Sequence, residues 1–387
     1  MTHNNWPTVK LGNLITRAKS QTAGSKEYPV LSMTMEHGMV LQKERFKKRI
    51  AGKNTEKYKV VENGQLVVGF PIDEGVLDFQ TLVQAGIVSP AYKIWELKDS
   101  SVCNLNYLRR YLRSNIAISY YRARLQGTTA RRRSLTDQAF LQLPVPLPPL
   151  EEQRRIAGLL DKAVANLDNS RKSLKALNTF LPNLFESSFN SGNRTITSIG
   201  SYLAQTQYGT STKAGESGTF PILRMGNITS EGQIDFSDLK FIDLDPSEFV
   251  KYTLKTGDIL FNRTNSKDLV GKTAVYYGEE GSFAYAGYLV RCRANSNSTP
   301  EYISGYLNSP TGKAVLRNAA KSIVGMANIN AKELQRLPIP EADPVEQRQW
   351  AEFEQEIHNL SGKLKKQVTL HHELYESLSA RAFTGEL

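Results

Sequence analysis

Apolar residues recur every seven positions along two stretches of the chain, which predicts two long helices that pack lengthwise on each other. The first stretch combines two such series, Ile156, Ala163, Ser170, Leu177 and Leu184 with Leu160, Leu167, Leu174 and Leu181. The second combines Trp350, Ile357, Leu364, His371 and Leu378 with Phe353, Leu360, Gln367 and Leu374. Because a single-domain helix is rarely this long, each stretch needs a partner helix, and an antiparallel coiled coil is expected.

Some positions interrupt this apolar pattern. Ser170, Gln367 and His371 are polar, and two interpretations of them stay open. They could lie at the edge of the helix contact, or they could fix its register at some cost in stability. Pro182 lies inside the first pattern, where it predicts a kink or an early end of the helix.

A proline-rich segment precedes each helical pattern. Residues 143–150 are Leu-Pro-Val-Pro-Leu-Pro-Pro-Leu, here called the first strap, and Leu-Pro-Ile-Pro recurs 194 positions later in residues 337–343, the second strap. The same offset relates the Glu-Gln-Arg of residues 152–154 to that of residues 346–348. Proline is tolerated just before a helix but not inside it, so each strap is expected to end where a long helix begins.

The stretches before the two straps have a mixed α/β pattern and resemble each other. Short strand-like runs alternate with glycine and asparagine turns, and matching segments are offset by 192 to 195 residues. The expected fold class is therefore α+β, a tandem repeat of about 190 residues. Its expected parts are a globular domain over residues 1–142, a strap and helix over 143–193, a second globular domain over 194–336, and a second strap and helix over 337–387.

Composition places the chain among soluble proteins. It has 387 residues, of which 40% are hydrophobic, and a mean hydropathy of −0.40. It lacks a run of 18 apolar residues, which excludes a membrane-spanning helix, and its first residues lack a secretory signature. The two cysteines, Cys103 and Cys292, lie at unrelated positions, so neither a metal site nor a disulfide framework is expected. A cytoplasmic protein is the default.

Positive charge is concentrated in the first part of the chain. The formal net charge is +11, and residues 1–150 carry 22 basic and 11 acidic side chains, whereas residues 341–387 carry 5 and 9. A basic field of this kind attracts polyanions, nucleic acid first. A solvated basic surface without a partner is the alternative, and the charge alone does not decide between them.

Sequence motifs give little support to catalysis. Residues 266–273 end like a phosphate-binding loop, but Ser266 replaces its first glycine. Asp73, Glu96 and Lys98 have the loose order of a metal-dependent nuclease, which the second repeat lacks. The glycine-rich loop and Pro-Pro turn of a DNA methyltransferase are missing, and the histidines have no ligand spacing. Neither a catalytic nor a metal-binding residue is therefore expected.

Basic and amide side chains remain as candidates for DNA contact, because they reach phosphates and base edges. Two cationic clusters are candidates, Arg131, Arg132 and Arg133 with Lys47, Lys48 and Arg49. Polar residues after the strand-like run 259–261 are candidates as well: Asn262, Arg263, Thr264 and Asn265. Asn328 and Asn330 lie where the arginine cluster falls in the first repeat, and a turn-forming role is their alternative.

These motifs together resemble a known family. A strap followed by Glu-Glu-Gln-Arg-Arg-Ile-Ala (151–157) and a long helix, present twice and ending in Arg-Ala-Phe-Thr-Gly-Glu-Leu (381–387), resembles the specificity (S) subunit of type I restriction–modification enzymes. The second copy departs from the motif, because its strap continues differently and Trp350 stands in the place of Ile156. The resemblance implies two target-recognition domains, residues 1–142 and 194–336, with paired helices as the spacer.

The resemblance also implies a function. Such a subunit binds double-stranded DNA at a bipartite, gapped sequence and docks two methyltransferase subunits and, through them, restriction subunits. It is not itself catalytic and binds no cofactor, whereas the partner subunits use S-adenosylmethionine, ATP and Mg²⁺. The residues expected in the coiled coil and partner docking are Ile156, Leu160, Leu167, Leu174, Leu177, Leu181, Trp350, Phe353, Ile357, Leu360, Leu364 and Leu374.

Two functions from other classes stay open at this point. One is a stand-alone nuclease or methyltransferase with an unrecognised active site, which would modify DNA without partner subunits. The other is a scaffold whose repeated domains bind proteins, which strong salt-dependent affinity for DNA would contradict.

Overall fold

The computed structural model describes residues 6–35, 37–45, 55–126, 134–190, 192–323 and 326–387. Two compact units make up the chain: Met1–Asn169 with Val368–Leu387, and Ser170–Gln367. Each unit contains a globular part and a portion of both long helices. The fold is α+β, with mixed helices and sheets in each globular part, as the sequence predicts.

Short strands and helices build the globular part of the first unit. Its strands are β1 (Thr8–Lys10), β2 (Ile15–Arg17), β3 (Leu31–Thr34), β4 (Gly38–Leu41), β5 (Lys59–Glu62), β6 (Leu66–Val68), β7 (Leu77–Phe79), β8 (Ala85–Val88), β9 (Lys93–Leu97) and β10 (Pro144–Pro146). Its helices are α1 (Leu11–Leu14), α2 (Gln42–Arg45), α3 (Leu105–Leu112), α4 (Asn115–Arg124) and α5 (Asp137–Leu141), and they are followed by the long helix α6 (Leu150–Phe189).

The second unit repeats this plan. Its strands are β11 (Ile196–Ser198), β12 (Leu203–Tyr208), β13 (Phe220–Leu223), β14 (Lys240–Ile242), β15 (Ile259–Asn262), β16 (Thr264–Asn265), β17 (Thr273–Val275), β18 (Ala284–Tyr285), β19 (Leu289–Ala294), β20 (Lys321–Ile323), β21 (Met326–Asn328) and β22 (Pro338–Pro340). Its helices are α7 (Phe249–Tyr252), α8 (Pro300–Asn308), α9 (Pro310–Ala319) and α10 (Ala331–Gln335), and they are followed by the long helix α11 (Pro344–Ala382).

A four-stranded antiparallel sheet lies at the centre of each unit, in the order β2-β9-β6-β7 and β12-β19-β15-β17. Two strands lie inside each sheet, and one of them, β6 or β15, is apolar on both faces. Alternate side chains of that strand therefore enter two different cores. In the second unit Ile259 and Phe261 pack with α8 and α9, whereas Leu260 joins the smaller core on the other face. Equal strand order in both units confirms the tandem repeat.

Each strap forms a short strand against the segment that opens its own repeat. Strand β10 pairs with β1, and β22 pairs with β11, both antiparallel. A strand that begins and ends with proline can donate an N–H only from its middle residue, which suits a two-stranded edge. That residue is Val145 in one copy and Ile339 in the other, and both are fully buried.

A buried glutamine fastens the start of each long helix. The Gln153 Oε1 accepts from the Asn104 N–H at 2.7 Å, and its Nε2 donates to the carbonyls of Val102 and Pro148. Gln347 makes the equivalent contacts, accepting from the Thr299 N–H at 3.2 Å and donating to Asn297 and Ala342. Both side chains are 0% exposed. The repeated Glu-Gln-Arg motif is therefore a structural joint between strap, long helix and globular part.

Helix α6 follows the predicted seven-residue pattern closely. The side chains buried along it are Ile156, Leu160, Ala163, Leu167 and Ser170, and those half-buried further along are Leu174, Leu177, Leu181 and Leu184. Ser170 is 5% exposed, which is inside the contact and not at its edge. The prediction of an early helix end at Pro182 is wrong, because α6 continues to Phe189.

Helix α11 departs from the predicted pattern in one of its two apolar series. Leu360 and Leu374 are 44% and 47% exposed, whereas Ser361, one residue after Leu360, is 2% exposed. Trp350 is buried, Phe353, Ile357 and Leu364 are half-buried, and Gln367 is exposed. The buried stripe thus combines the Trp350 series with positions one residue later than predicted, and Leu360 and Leu374 lie outside it.

The two long helices contact each other antiparallel within each unit, as predicted. In the second unit the rings of Phe185 and Phe189 lie 5.0 and 5.7 Å from Trp350 near the start of α11. In the first unit Phe383, just after α11, packs 5.6 Å from Tyr107 and 5.1 Å from Tyr111, in the core that also contains Ile156 and Leu160.

Candidate nucleic-acid interface

An open groove of about 720 Å³ lies on the globular part of the second unit. Three loops and the end of strand β15 converge there: residues 210–214, 224–226 and 286–288, and Arg263. We call it the Arg263 groove. Three of its lining residues, Lys213, Arg224 and Arg263, are cationic, and Asp238 supplies a carboxylate. The groove is therefore a depression with a net positive charge.

A close approach between two loops forms the floor of the groove. The Gly287 N–H donates to the Thr210 carbonyl at 2.8 Å, and the Thr210 N–H donates to the Tyr285 carbonyl at 3.0 Å. A Cβ added at Gly209 would lie 2.3 Å from the Tyr285 oxygen, so this position requires glycine. The short glycine therefore allows β12 and the loop before β19 to meet directly beneath the cationic residues.

Arg263 is held in a defined position. Its guanidinium lies 4.9 Å from the Tyr208 ring centroid, and its Nη1 donates to the Gly287 carbonyl at 3.4 Å. The Tyr208 hydroxyl accepts from the Ala331 N–H at 3.0 Å, which fixes the ring under the guanidinium. Arg263's own N–H donates to the Tyr288 carbonyl, and its carbonyl accepts from Ile329. Side chain and backbone are both restrained before any ligand is present.

The opposite wall carries Arg224, which pairs with Asp238 at 3.0 Å. Buried Asn227 shapes this wall, because its Oδ1 accepts from the Arg224 N–H and its Nδ2 donates to the Asp235 and Asp238 carbonyls, all at 2.9 Å. Lys272 braces the same turn by donating to the Met225 carbonyl at 3.0 Å. Burial lowers the pKa of Lys272, while Glu231 opposes that effect.

The globular part of the first unit carries a basic cluster of a different kind. Arg17 lies 4.9 Å from the Trp95 ring centroid and pairs with Asp137 at 3.2 Å. Lys93 pairs with the same carboxylate at 2.5 Å. Burial, and then the positive charges of Arg17 and Lys93, lower the pKa of Lys59. Of these three cations only Arg17 and Lys93 pair with the carboxylate, so the cluster keeps a local positive field that favours an anionic partner.

The buried carboxylate of Asp78, in the first unit, is fully paired. Asp78 is 1% exposed and receives a bidentate pair from Arg109 at 2.6 and 2.8 Å. It also accepts from the N–H groups of Met39 and Phe79. Four hydrogen bonds satisfy both carboxylate oxygens, which is what a buried charge requires. This carboxylate therefore belongs to the scaffold rather than to a site.

Comparison with known proteins agrees with the repeated strap, helix and basic surfaces. Residues 4–179 match the family model of the type I restriction modification DNA specificity domain. The chain therefore contains a type I restriction modification DNA specificity domain over residues 4–179. The family resemblance recognised in the sequence is thereby confirmed.

Similar members of this family come from bacteria and archaea. The chain is 26% identical to the EcoKI specificity subunit of Escherichia coli over 295 residues, 70% of this chain and 63% of that protein. It is 31% identical to the putative MjaX specificity subunit of Methanocaldococcus jannaschii over 167 residues, 43% of this chain and 39% of that protein. The chain thus spans less than two thirds of the length of either relative.

Solved structures share the fold over nearly the whole chain. The type I S subunit from M. genitalium aligns with a TM-score of 0.57 at 14% identity, covering 99% of this chain and 97% of that one. A chain from a study of complex assembly and conformational transition of the type I R-M system aligns with a TM-score of 0.58 at 15% identity and 99% coverage of both. At 14% and 15% sequence identity, this similarity shows a shared fold and no more.

Several residues that the sequence predicts as DNA contacts have other roles in the structure. Asn262 is 0% exposed, and neither amide atom has a hydrogen-bond partner among the described residues. A fully enclosed amide cannot touch DNA without rearrangement, so Asn262 is removed from the candidate contacts. Asn330 caps α10, exchanging hydrogen bonds with Glu333, which favours its turn-forming alternative.

The other residues predicted to contact DNA have different environments. Asn328 donates to the Thr264 hydroxyl at 2.8 Å across paired strands, and Asn265 accepts from the Ser266 N–H. Of the group after strand β15, Arg263 alone lines the groove. The two cationic clusters, Arg131, Arg132 and Arg133 with Lys47, Lys48 and Arg49, lie outside the described residues.

Four side chains at the groove escaped the sequence-based prediction: Tyr208, Lys213, Arg224 and Tyr288. Tyr288 is 55% exposed and Tyr208 is 41% exposed, values that are high for aromatic rings. The sequence signal for these residues is a glycine directly after Tyr208 and another directly before Tyr288, because glycine marks places where two backbone segments approach closely. That signal does not say which two loops meet.

Neither a metal site nor a membrane segment is found in the described part of the chain. No group of three or more histidine, cysteine, aspartate or glutamate side chains there is placed to hold a metal ion. Every described helix is too short or too polar to cross a membrane.

Proposed function

We propose that the chain is the sequence-specific DNA-binding subunit of a type I restriction–modification complex and recognises a bipartite, gapped target. Each globular domain would bind one half of the target. The observation that carries the proposal is the duplicated joint of strap, buried glutamine and long helix, which holds two domains whose basic surfaces differ. One scaffold with two unlike surfaces suits a target with two unlike halves.

The basic surfaces support DNA as the ligand. The Arg263 groove contributes Lys213, Arg224 and Arg263, and the first domain contributes Arg17, Lys59 and Lys93. Cationic side chains on loops and strand ends bind phosphates, and they also bind base edges in the major groove. In this proposal Arg131, Arg132, Arg133, Lys47, Lys48 and Arg49 add phosphate contacts in the first domain.

The long helices would act as a spacer between the two halves of the target. Helix α6 has 40 residues, a length of about 60 Å at 1.5 Å per residue. Two turns of duplex DNA have a similar length, about 70 Å. Exposed leucines such as Leu360 and Leu374 lie on the outer side of α11, where they are available to partner subunits.

The partners in this proposal are two methyltransferase subunits and, through them, restriction subunits. Two similar partners fit two similar copies of the helix and strap. The chain itself would be non-catalytic and bind no cofactor. The methyltransferase subunits would use S-adenosylmethionine, and the restriction subunits would use ATP and Mg²⁺.

A methylation map tests the proposal. Methylated adenines are mapped across the genome of cells that carry the chain with its methyltransferase subunits, and across a matched strain in which the chain is deleted. We expect a two-part word with an unspecified gap in the first strain and its loss in the second. A contiguous word, or a word that survives the deletion, would contradict the proposal.

A second assay separates this function from the stand-alone enzyme. The purified chain is incubated with DNA and S-adenosylmethionine, and separately with DNA and divalent metal. Turnover by the chain alone would favour an enzyme with its own active site.

A further inference from the structure

We infer that Arg263 recognises a guanine in the half of the target bound by the second domain, and that Phe70, the equivalent residue of the first domain, confers a different preference on the other half. This inference rests on the proposed function. It assigns a base-contacting position to each domain, and it explains how equivalent scaffolds distinguish different half-sites.

Equivalent places in the two repeats define the position. Residues 63–67 match residues 256–260 with an offset of 193, which carries Phe70 onto Arg263. Phe70 comes two residues after the end of β6, and Arg263 comes one residue after the end of β15. The sheet order around both strands is the same. The two residues therefore occupy equivalent positions in the two domains, and they differ in the chemistry of their side chains.

The surroundings of Arg263 suit base recognition better than neutralisation of a phosphate. Tyr208 covers one face of the guanidinium at 4.9 Å, and the Gly287 carbonyl holds Nη1. The Nε is buried and has no hydrogen-bond partner within the described residues, so the donors left for a base are on the terminal nitrogens Nη1 and Nη2. A planar donor group held this firmly loses little entropy when it binds a matching pair of acceptors.

Other cations in the groove are better suited to phosphate. Arg224 is already paired with Asp238 at 3.0 Å, and Lys213 carries a point charge on a flexible stem. Guanine presents O6 and N7 as adjacent acceptors in the major groove, and an arginine fork is their common bidentate partner. Arg263 combines that fork with a fixed orientation, so we assign it to guanine.

Phe70 offers the opposite chemistry at the equivalent position. Its side chain is 49% exposed, which is unusual for a large apolar ring. A phenylalanine cannot donate to guanine, but it makes favourable apolar contact with the thymine methyl group. The half-site bound by the first domain is therefore expected to contain a thymine at the matching position.

The first test compares methylation maps of complexes with the methyltransferase subunits. Arg263→Met keeps the side-chain length but removes every donor, and Phe70→Ala removes the ring. We expect R263M to make one guanine position of one half-site degenerate, and F70A to relax one thymine position of the other half-site. The control is Lys255→Ala, which removes a cation paired with Glu280 outside the groove and leaves both half-sites unchanged.

The second test uses the unaltered complex, so it does not depend on how a variant folds. Duplexes carrying 7-deazaguanine at each guanine of the half-site lack the N7 acceptor. Binding is expected to weaken between about 10-fold and 150-fold at one guanine, the range expected for the loss of one hydrogen bond to a charged donor. R263M, whose side chain has no donor, should show no such difference between guanine and its analogue at that position.

The outcomes separate the two proposals. A gapped word that R263M leaves unchanged, or binding that is indifferent to 7-deazaguanine, would overturn the assignment of Arg263 while the proposed function stands. The absence of any gapped word in the wild-type map would overturn the proposed function itself.

Discussion

Single residues explain the motif that is repeated 194 positions apart. Gln153 and Gln347 are enclosed, and each satisfies one N–H and two carbonyls that would otherwise be buried without partners. An unsatisfied buried polar group costs about 1–3 kcal/mol. The glutamine at this place is therefore a structural requirement, and its repetition follows from the same joint being built twice.

Replacing Gln153 with leucine should weaken the first joint. The Asn104 N–H and the carbonyls of Val102 and Pro148 would lose their partner, at a cost of about 2–4 kcal/mol in the free energy of unfolding. Urea denaturation of the full chain measures this loss. Gln349→Leu, at an exposed position on α11, is the matched control and should leave the midpoint unchanged. Equal midpoints for both variants would mean that the buried amide does not hold the joint.

The sequence shows that a residue is repeated but not what it touches. The Glu-Gln-Arg motif is visible in both copies, yet its partners lie about 50 residues away, in the segments before α3 and α8. Asn262 illustrates the opposite error. An amide after a strand suggests an exposed contact, but the loops that cover it come from distant parts of the chain.

At the scale of elements, periodicity predicts the two long helices well and their facing sides less well. Leu360 and Leu374 fit a seven-residue repeat, and so do the less exposed positions one residue after each of them. The packing against α6 decides which of the two series is buried. Pro182 is tolerated because Phe185 and Phe189, one and two turns further, are buried against Trp350 and Tyr302. Burying two such rings offsets the roughly 3 kcal/mol that a mid-helix proline costs.

Polar residues at Leu160, Leu167 and Leu174 should disturb the helix pair. Leu160 and Leu167 are 0% and 6% exposed, so replacing either with glutamine should cost about 2–5 kcal/mol, and the half-buried Leu174 less. The triple variant should also lose assembly with partner subunits and methylation of the gapped target. Size-exclusion chromatography of the complex and the methylation map measure both effects.

A leucine outside the buried stripe is the control for that experiment. Leu370→Gln changes a 52% exposed position on α11 that is not among the expected docking residues, and it should leave the free energy of unfolding nearly unchanged. Normal assembly and an unaltered gap length in the triple variant would mean that the helix pair does not set the spacing.

At the scale of the whole molecule, the tandem architecture can be predicted because it repeats, whereas the groove cannot. Its side chains come from five separate segments, at Tyr208 to Lys213, Arg224, Asp238, Arg263 and Tyr288. Local patterns carry no information about which loops a fold brings together. Net positive charge favours a polyanionic ligand, and only the folded sheet shows which cations share a surface.

Replacing Arg131, Arg132 and Arg133 with alanine tests the electrostatic part of binding. If each arginine contacts one phosphate, affinity should fall for all DNA sequences, and the slope of log affinity against log salt should decrease by about 0.9 for each contact. Fluorescence anisotropy over a salt series measures the slope. The control replaces three exposed lysines of α6, Lys162, Lys172 and Lys175. An unchanged slope in the arginine variant would exclude these residues from phosphate contact.

The packing of Phe383 against Tyr107 and Tyr111 has a consequence for synthesis on the ribosome. The ring emerges 272 residues after Tyr111, on the order of tens of seconds later at usual translation rates. Until then the first domain lacks part of its core, although its own stretch of chain is complete. The core of the first domain is thus completed only after the second domain has been synthesised, and the nascent chain remains accessible to chaperones throughout that interval.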